Sequence, residues 1–252
     1  GIKFHSNISR ILDTDNGLDQ FKNLEITDLI GREIIDLDSD LKIGENQTFL
    51  ITGAGGSIGR ELSKQVVELN PSRVILLDNT ELNLYLVEKK IIEIINDKNL
   101  KIEVISSLTS VCDKENMEQI FLDYNPNYVF HAAAYKHVTL VEKNISQAVY
   151  NNIYGTQVVC ELSAKFKTKY FTLISTDKAV KPTNIMGSTK KISELIVQNA
   201  AIVNKDKSTK FSIVRFGNVF GSSGSVIQLF KSQIENRESV TVTDKDASRY
   251  FM

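Results

Sequence analysis

The sequence predicts a doubly wound α/β protein, a parallel sheet with helices on both faces, and three observations carry that prediction. From Thr48 onward, short and nearly continuous apolar runs alternate with stretches of helical spacing, the pattern of strands that are covered on both faces. The glycines of "TGAGGSIG" fall between the first apolar run and the first helical stretch. Pro71, Pro126 and Pro182, the only prolines, all lie between elements, where the missing amide breaks no ladder. At 252 residues, 42% apolar and 24% charged, the chain can bury a full core.

Taken in order, residues 1–47 are polar and weakly patterned apart from "ITDLIGREIIDLD", and read as an N-terminal arm packing on the main domain. The main domain is expected over 48–217. Its strands are "TFLIT", "RVILLD", "IEVISS", "YVFHA", "YFTLIS" and "FSIVRF". Its helices are "RELSKQVVEL", "ELNLYLVEKKIIEII", "ENMEQIFLDY", "SQAVYNNIYGTQVVCELSAKF" and "STKKISELIVQNAAI". Residues 218–252 hold the Gly/Ser-rich "GSSGS", one helical stretch "VIQLFKSQIEN" and a short "SVTVT", too little for a second complete domain.

Composition narrows the function classes. With 30 basic and 31 acidic residues dispersed along the chain and a net charge of −1, no footprint for nucleic acid stands out. Cys112 and Cys160 have neither metal-like spacing nor a disulfide framework, so no metal is expected and both read as core thiols of a reducing, cytoplasmic compartment. No apolar run approaches the roughly 20 residues of a membrane span, and no signal-peptide pattern opens the sequence.

The first crossover reads as a dinucleotide site of Rossmann-like type. Gly53 can make the tight turn, Gly56 lets the backbone approach a pyrophosphate, and Gly59 lets the helix pack closely on the strand. Gly55, Ser57 and Ile58 complete a phosphate cradle at the helix N-terminus. Asp78 closes the second strand at the spacing expected of a carboxylate that accepts from the ribose hydroxyls and repels a 2′-phosphate, which favours NAD over NADP. Arg60 and Arg73 are the nearby cations that weigh against that preference.

In an open parallel sheet chemistry sits at the carboxyl ends of the strands, and "STDK" holds that place after the fifth. Short-chain dehydrogenases usually carry a Tyr four residues before a Lys on the next helix, one turn apart on one face. Here the spacing survives as Met186 and Lys190. Tyr85 and Lys89 also fit the pattern, but they follow the second strand, beside the adenosine half of a cofactor. Thr176, Asp177 and Lys178 are left to handle protons. At the fourth strand end, "HAAAYKHV", the small Ala132, Ala133 and Ala134 allow the backbone to lie against a nicotinamide ribose. Lys136 and His137 can reach a sugar or diphosphate, and His131 reads as a core histidine.

"TGAGGSIG", "HAAAYKHV", "STDKAVKPTNIMGSTK", "VRFGNVFGSSGSV" and "SRYFM" together resemble the nucleotide-sugar 4,6-dehydratases of bacterial polysaccharide and glycan biosynthesis, in the extended short-chain dehydrogenase/reductase superfamily. The Met-for-Tyr change is similar to the branch acting on UDP-N-acetylglucosamine. The resemblance implies oxidation at C4, loss of water across C5 and C6, and hydride return to C6. Asp177 would be the acid for the C6 hydroxyl and Lys178 the base at C5, with mutual charge bringing both pKa values toward a useful range. Thr176 would bond the C4 hydroxyl, Lys190 the nicotinamide ribose, and Met186 would fill space against the ring.

The resemblance also implies UDP-sugar contacts from Asn218, Ser222, Ser225 and Val226, with Arg249 as a phosphate clamp and 218–252 as the start of an incomplete nucleotide-sugar region. It implies a homo-oligomer, and a longer protein anchored at the cytoplasmic face of the inner membrane through a region this chain lacks. Ser110-Val111 stands where relatives have an Asp-Val pair near the adenine, while Asp113 reads as a helix cap. The rival readings are a nucleotide-sugar 4-epimerase or reductase, of which the epimerase would keep the Tyr, and a catalytically silent NAD-binding regulator.

Overall fold

The computed structural model describes residues 45–204, 208–219 and 226–242, with only the backbone for 226–228 and 231. Six parallel strands form one sheet: β1 (Thr48–Thr52), β2 (Arg73–Asp78), β3 (Glu103–Leu108), β4 (Tyr128–His131), β5 (Tyr170–Thr176) and β6 (Lys210–Phe216). Their order is β3-β2-β1-β4-β5-β6, so the chain starts in the middle, winds outward and then crosses back. The reversal lies between β1 and β4, and a crevice outside the strand ends opens at such a switch.

The helices that make the crossovers are α1 (Ser57–Glu68), α2 (Glu81–Asp97) and α3 (Lys114–Tyr124), then α4 (Val138–Lys143), α5 (Ile145–Ala148) and α6 (Gly155–Lys165). A widened π turn, Val149–Tyr154, joins α5 to α6, and α7 (Ile185–Val203) precedes β6. Two apolar cores result, one per face. Phe49, Ile51, Val74 and Leu76 pack under α1 and α2 with Val67, Leu84 and Ile91. Leu50, Ile75, Val129, Phe171 and Leu173 meet Phe121, Val159, Leu162 and Val197 on the other face. Alternate residues of β1 thus serve opposite cores, each fully buried large side chain contributing about 1.5–3 kcal/mol.

Local chemistry sets the helix starts. Asp113 caps α3, its Oδ1 accepting from the Asn116 amide at 3.1 Å, as the sequence predicts. Asn184 caps α7 through the Gly187 amide at 2.8 Å, which starts that helix three residues before the predicted Ser188. Cys112 and Cys160 are both buried, and burial raises both thiols. No helix among the described residues is long and apolar enough to cross a membrane.

The sheet belongs to a compact unit of residues 41–217, and residues 218–252 belong to a second. Within the latter, α8 (Val226–Glu235) carries Gln233, whose side chain pairs with both the amide and the hydroxyl of Thr241. The N-terminal arm predicted over 1–47 falls almost wholly outside the described residues, as do Ser222, Ser225 and Arg249.

Candidate active site

The turn after β1 is built by backbone demands. Gly53 has φ +66°, and a Cβ there would lie 2.7 Å from the Ala133 amide nitrogen, so both conformation and neighbour require glycine. A Cβ on Gly59 would collide with the Gly53 carbonyl, which is how close α1 comes to the turn. At Gly55 it would meet Asn83 of α2 at 2.5 Å. Gly56 differs: its nearest neighbour would be the Gly53 carbonyl at 3.3 Å, so the protein leaves that side of the turn open. The N-cap residue of α1 is Gly56, which has no side chain with which to cap the helix. An open glycine surface leading into a helix start fits a pyrophosphate.

Asp78 is buried behind this turn. Its Oδ2 accepts from the Gly55 amide at 2.9 Å and its Oδ1 from the Thr80 amide at 2.9 Å. A carboxylate offers about four acceptor positions, so two remain for ribose hydroxyls. Arg73 sits at the opposite end of β2 and pairs with Glu103 at 2.5 Å, away from that carboxylate. Arg60 reaches Asn83 at 3.3 Å.

At the end of β5 the chain makes one 3₁₀ turn, Asp177–Ala179. The Thr176 hydroxyl accepts from the Lys178 amide at 3.3 Å and donates to Asp177 Oδ1 at 3.0 Å. Lys178 Nζ donates to that same oxygen at 3.2 Å. The pair is accessible, 55% exposed at Asp177 and 35% at Lys178. Burial opposes ionisation of Asp177, but the hydrogen bonds from Thr176 and Lys178, with the Lys178 charge, outweigh it and hold the carboxyl below its usual range. This corrects the expectation that mutual charge brings the Asp177 pKa toward a range useful for an acid: here the pair favours the carboxylate. The turn rests on α7 at Gly187, where a Cβ would collide with the Lys178 carbonyl.

Lys190 lies beneath that turn, 5% exposed, its ammonium donating to the Ile174 carbonyl at 2.8 Å. Burial pulls it down to about 8, against the charge of Glu194, which raises it. Met186, one turn earlier, is buried with Val141 and Ala148 and packed by Val138 and Ile185. The position of the usual phenol is therefore filled by a thioether that docks α7 onto α4 and α5.

After β4, the backbone of Ala132 and Ala133 runs against Gly53. His131 is a satisfied core histidine, as the sequence predicts. The Thr156 hydroxyl donates to the Asn152 carbonyl at 2.6 Å, so it accepts from His131 Nε2 at 3.0 Å, leaving Nδ1 to accept from Thr52 at 2.7 Å. Burial, then the Lys190 charge, pushes His131 down to about 3. Lys136 and His137 are exposed, and His137 begins α4 by accepting from the Leu140 and Val141 amides. Ala134 is half-buried on the same segment.

Sequence reasoning missed Asn152. It lies buried in the π turn, its Oδ1 accepting from the Tyr135 amide at 2.8 Å and its Nδ2 donating to the Tyr135 carbonyl and Thr189 hydroxyl, each at 3.0 Å. One amide thus ties the β4 loop to α7. The signal was available as two adjacent asparagines, Asn151 and Asn152, in the middle of an apparent helix, where such residues are poorly placed unless bonded. Glu194, four residues after Lys190, was also missed. Asn218 and Val226 belong to the second unit.

Sheet order, glycine turn and strand-end chemistry define a Rossmann-like α/β protein. The chain belongs to the family described as "Polysaccharide biosynthesis protein", which matches residues 49–252. It is 42% identical over 249 residues to the capsular polysaccharide biosynthesis protein CapD of Staphylococcus aureus, covering 98% of this chain and 41% of that protein. A UDP-N-acetylglucosamine 4,6-dehydratase (inverting) of Campylobacter jejuni is 32% identical over 208 residues, 82% of this chain and 59% of the relative. A UDP-glucose 4-epimerase of Rickettsia bellii is 32% identical over 213 residues, with the same coverage.

Among solved structures, Pen from Bacillus thuringiensis matches with TM-score 0.76 at 35% identity, over 82% of this chain and 63% of that one. The WbmG enzyme of Bordetella bronchiseptica, solved with NAD and UDP, shares the fold at TM-score 0.62 and 19% identity, over 83% and 65%. The chain therefore spans about two fifths of CapD and under two thirds of the other proteins named.

Proposed function

We propose that this chain is the catalytic part of a nucleotide-sugar 4,6-dehydratase that acts on UDP-N-acetylglucosamine with bound NAD. The observation that carries the reading is the turn Thr176–Asp177–Lys178: an acid and a base on adjacent residues, accessible at the carboxyl end of β5 and seated on the helix that bears Lys190.

The turn of Gly53, Gly55, Gly56, Ser57, Ile58 and Gly59 would hold the dinucleotide phosphates. The two free acceptor positions of Asp78 suit ribose hydroxyls and favour NAD, and Arg73, taken by Glu103, no longer weighs against that choice. Ala132, Ala133, Ala134 and Lys190 would line the nicotinamide side. When bound, NAD supplies a hydride acceptor that gives the hydride back within the same turnover.

Lys178 removes the C5 proton once a C4 ketone has acidified it, and Asp177 protonates the departing C6 hydroxyl. Asp177 begins as a carboxylate and Lys178 as the ammonium that donates to it, so passage of that proton from Lys178 to Asp177 supplies the neutral base and the acid together. A hexose entering between the two side chains breaks the Lys178 hydrogen bond, one of the contacts that favour the carboxylate, while burial opposes ionisation. The Thr176 hydroxyl bonds the C4 oxygen, and the Lys190 ammonium favours deprotonation there. Met186 keeps the helix seated rather than moving protons. Lys136, His137, Asn218, Ser222, Ser225, Val226 and Arg249 are the proposed contacts to the sugar nucleotide.

The whole protein is proposed to work as a homo-oligomer at the cytoplasmic face of the inner membrane. Exposed Ile145, Val149 and Tyr150 on the α5–π segment suit a subunit contact. Incubating the full-length protein with NAD and UDP-N-acetylglucosamine tests the activity. A 4-keto-6-deoxy product is expected; UDP-N-acetylgalactosamine would establish an epimerase instead, and no conversion a silent NAD-binding protein.

A further inference from the structure

Glu194 has no part in the proton transfers above, yet it is a fully buried carboxylate with a dense set of partners. Its Oε1 accepts from the Ser175 hydroxyl at 2.6 Å and from Arg215 Nε at 2.7 Å, while Oε2 accepts from Arg215 Nη2 at 2.5 Å. The two-pronged guanidinium contact fixes the carboxylate in one orientation. Ser175 is the residue before Thr176–Asp177–Lys178, Arg215 stands opposite it on β6, and Glu194 follows Lys190 by one turn on the same face of α7. One side chain therefore joins two strand ends to the helix of the buried lysine.

Glu194 is fully buried while Arg215 is 40% exposed, and apolar residues commonly replace a buried charge and its partner without loss of stability, so stability alone is a weak reason to keep the pair here. The surroundings of Lys190 supply a better one. On β4, His131 is buried and neutral. Asp177 and Lys178 on the 3₁₀ turn are paired with each other, and Arg215 on β6 is taken by Glu194. On α7 itself Lys191 lies 3.8 Å from Glu194. Glu142 of α4 receives the Ile185 amide, the π turn contributes the stacked Tyr150 and Tyr154, and Glu161 and Lys165 of α6 pair with Lys114 and Glu118 of α3. Glu194 is the anion that acts on the buried ammonium.

We propose that Glu194 is a positioning residue with two effects: through Ser175 it anchors the strand end that presents Thr176, Asp177 and Lys178, and its charge keeps Lys190 an ammonium. The inference rests on the dehydratase reading for its catalytic consequence, but its electrostatic half is a property of the protein without substrate.

The test is an NMR titration of the full chain labelled with ¹³C at the lysine ε-carbons, the Lys190 signal being assigned by its loss in Lys190→Arg. Glu194→Gln keeps the size and an acceptor for Ser175 but removes the charge. It is expected to move the Lys190 titration, and the basic limb of kcat, to lower pH by about one unit. Arg215→Gln removes a cation and leaves the carboxylate, so it moves both to higher pH. Ser175→Ala lowers kcat roughly tenfold to a hundredfold by loosening the strand end, with KM and the Lys190 titration unchanged.

Unmoved titrations, or shifts of the same sign in Glu194→Gln and Arg215→Gln, overturn the proposal. If Glu194→Gln fails to fold, the upward shift in Arg215→Gln decides alone. Because the titration needs no turnover, a protein that makes no 4-keto product defeats the dehydratase reading without touching this one.

Discussion

Two aspartates, Asp78 at the end of β2 and Asp177 just after β5, stand on opposite sides of the switch in the same sheet, and the fold treats them in opposite ways. Asp78 is buried, with one oxygen on the Gly55 amide and the other on the Thr80 amide. Asp177 is exposed, and its Oδ1 is shared by the adjacent Thr176 and Lys178 side chains. The first carboxylate is part of the scaffold and holds the shape of a turn. The second is held only by its sequence neighbours, so a ligand can separate it from them. Placement within the fold, rather than residue type, divides structural from chemical work here.

The largest expected effect sharpens that contrast at the reactive end. Asp177→Asn should lower turnover by roughly 10² to 10⁴, the range of general acid–base groups, in a product assay with UDP-N-acetylglucosamine. A loss of less than tenfold would remove Asp177 from the acid role.

Lys190→Met tests the buried side. The folded lysine titrates near 8 against 10.5 for the free group, so below 8 the unfolded chain holds its proton more tightly and folding is opposed. Stability from this group rises as pH climbs from about 8 to about 10.5, and Lys190→Met should gain up to about 3 kcal/mol at pH 7 while losing activity. Denaturant melts at pH 7 and pH 10.5 check it: the gain should shrink at the higher pH.

Asp78→Asn attacks the scaffold carboxylate. An amide can serve one backbone N–H and opposes the other with its own donor, leaving a buried donor unsatisfied at about 1–3 kcal/mol. Thermal unfolding without ligand should register the loss. The smallest effect completes the comparison: Asp177→Asn should leave unfolding within about 0.5 kcal/mol of the parent, as surface changes do. If the two aspartates cost the same stability, the division drawn above is wrong.

Much of this was legible in advance. β1 and β2 lie on the predicted runs to the residue, since buried parallel strands announce themselves as unbroken apolar segments. The glycine turn and the strand-end trio were legible because each depends on residues adjacent in sequence. The stretch Ser146–Phe166 read as one helix and is instead α5, a π turn and α6. A one-residue widening leaves the apolar spacing nearly intact, and the partners that Asn152 holds from within it, Tyr135 and Thr189, lie 17 and 37 residues away.

The sequence by itself determined which backbone positions need glycine, where strands end, and that an acid and a base leave β5 together, because these follow from short-range sterics and periodicity. Only the tertiary structure decided which charges are buried and what answers them. His131 meets Thr52 across 79 residues and Glu194 meets Arg215 across 21. Desolvation and pairing depend on what the fold brings near, so the charge state of a group such as Lys190 is written in the packing.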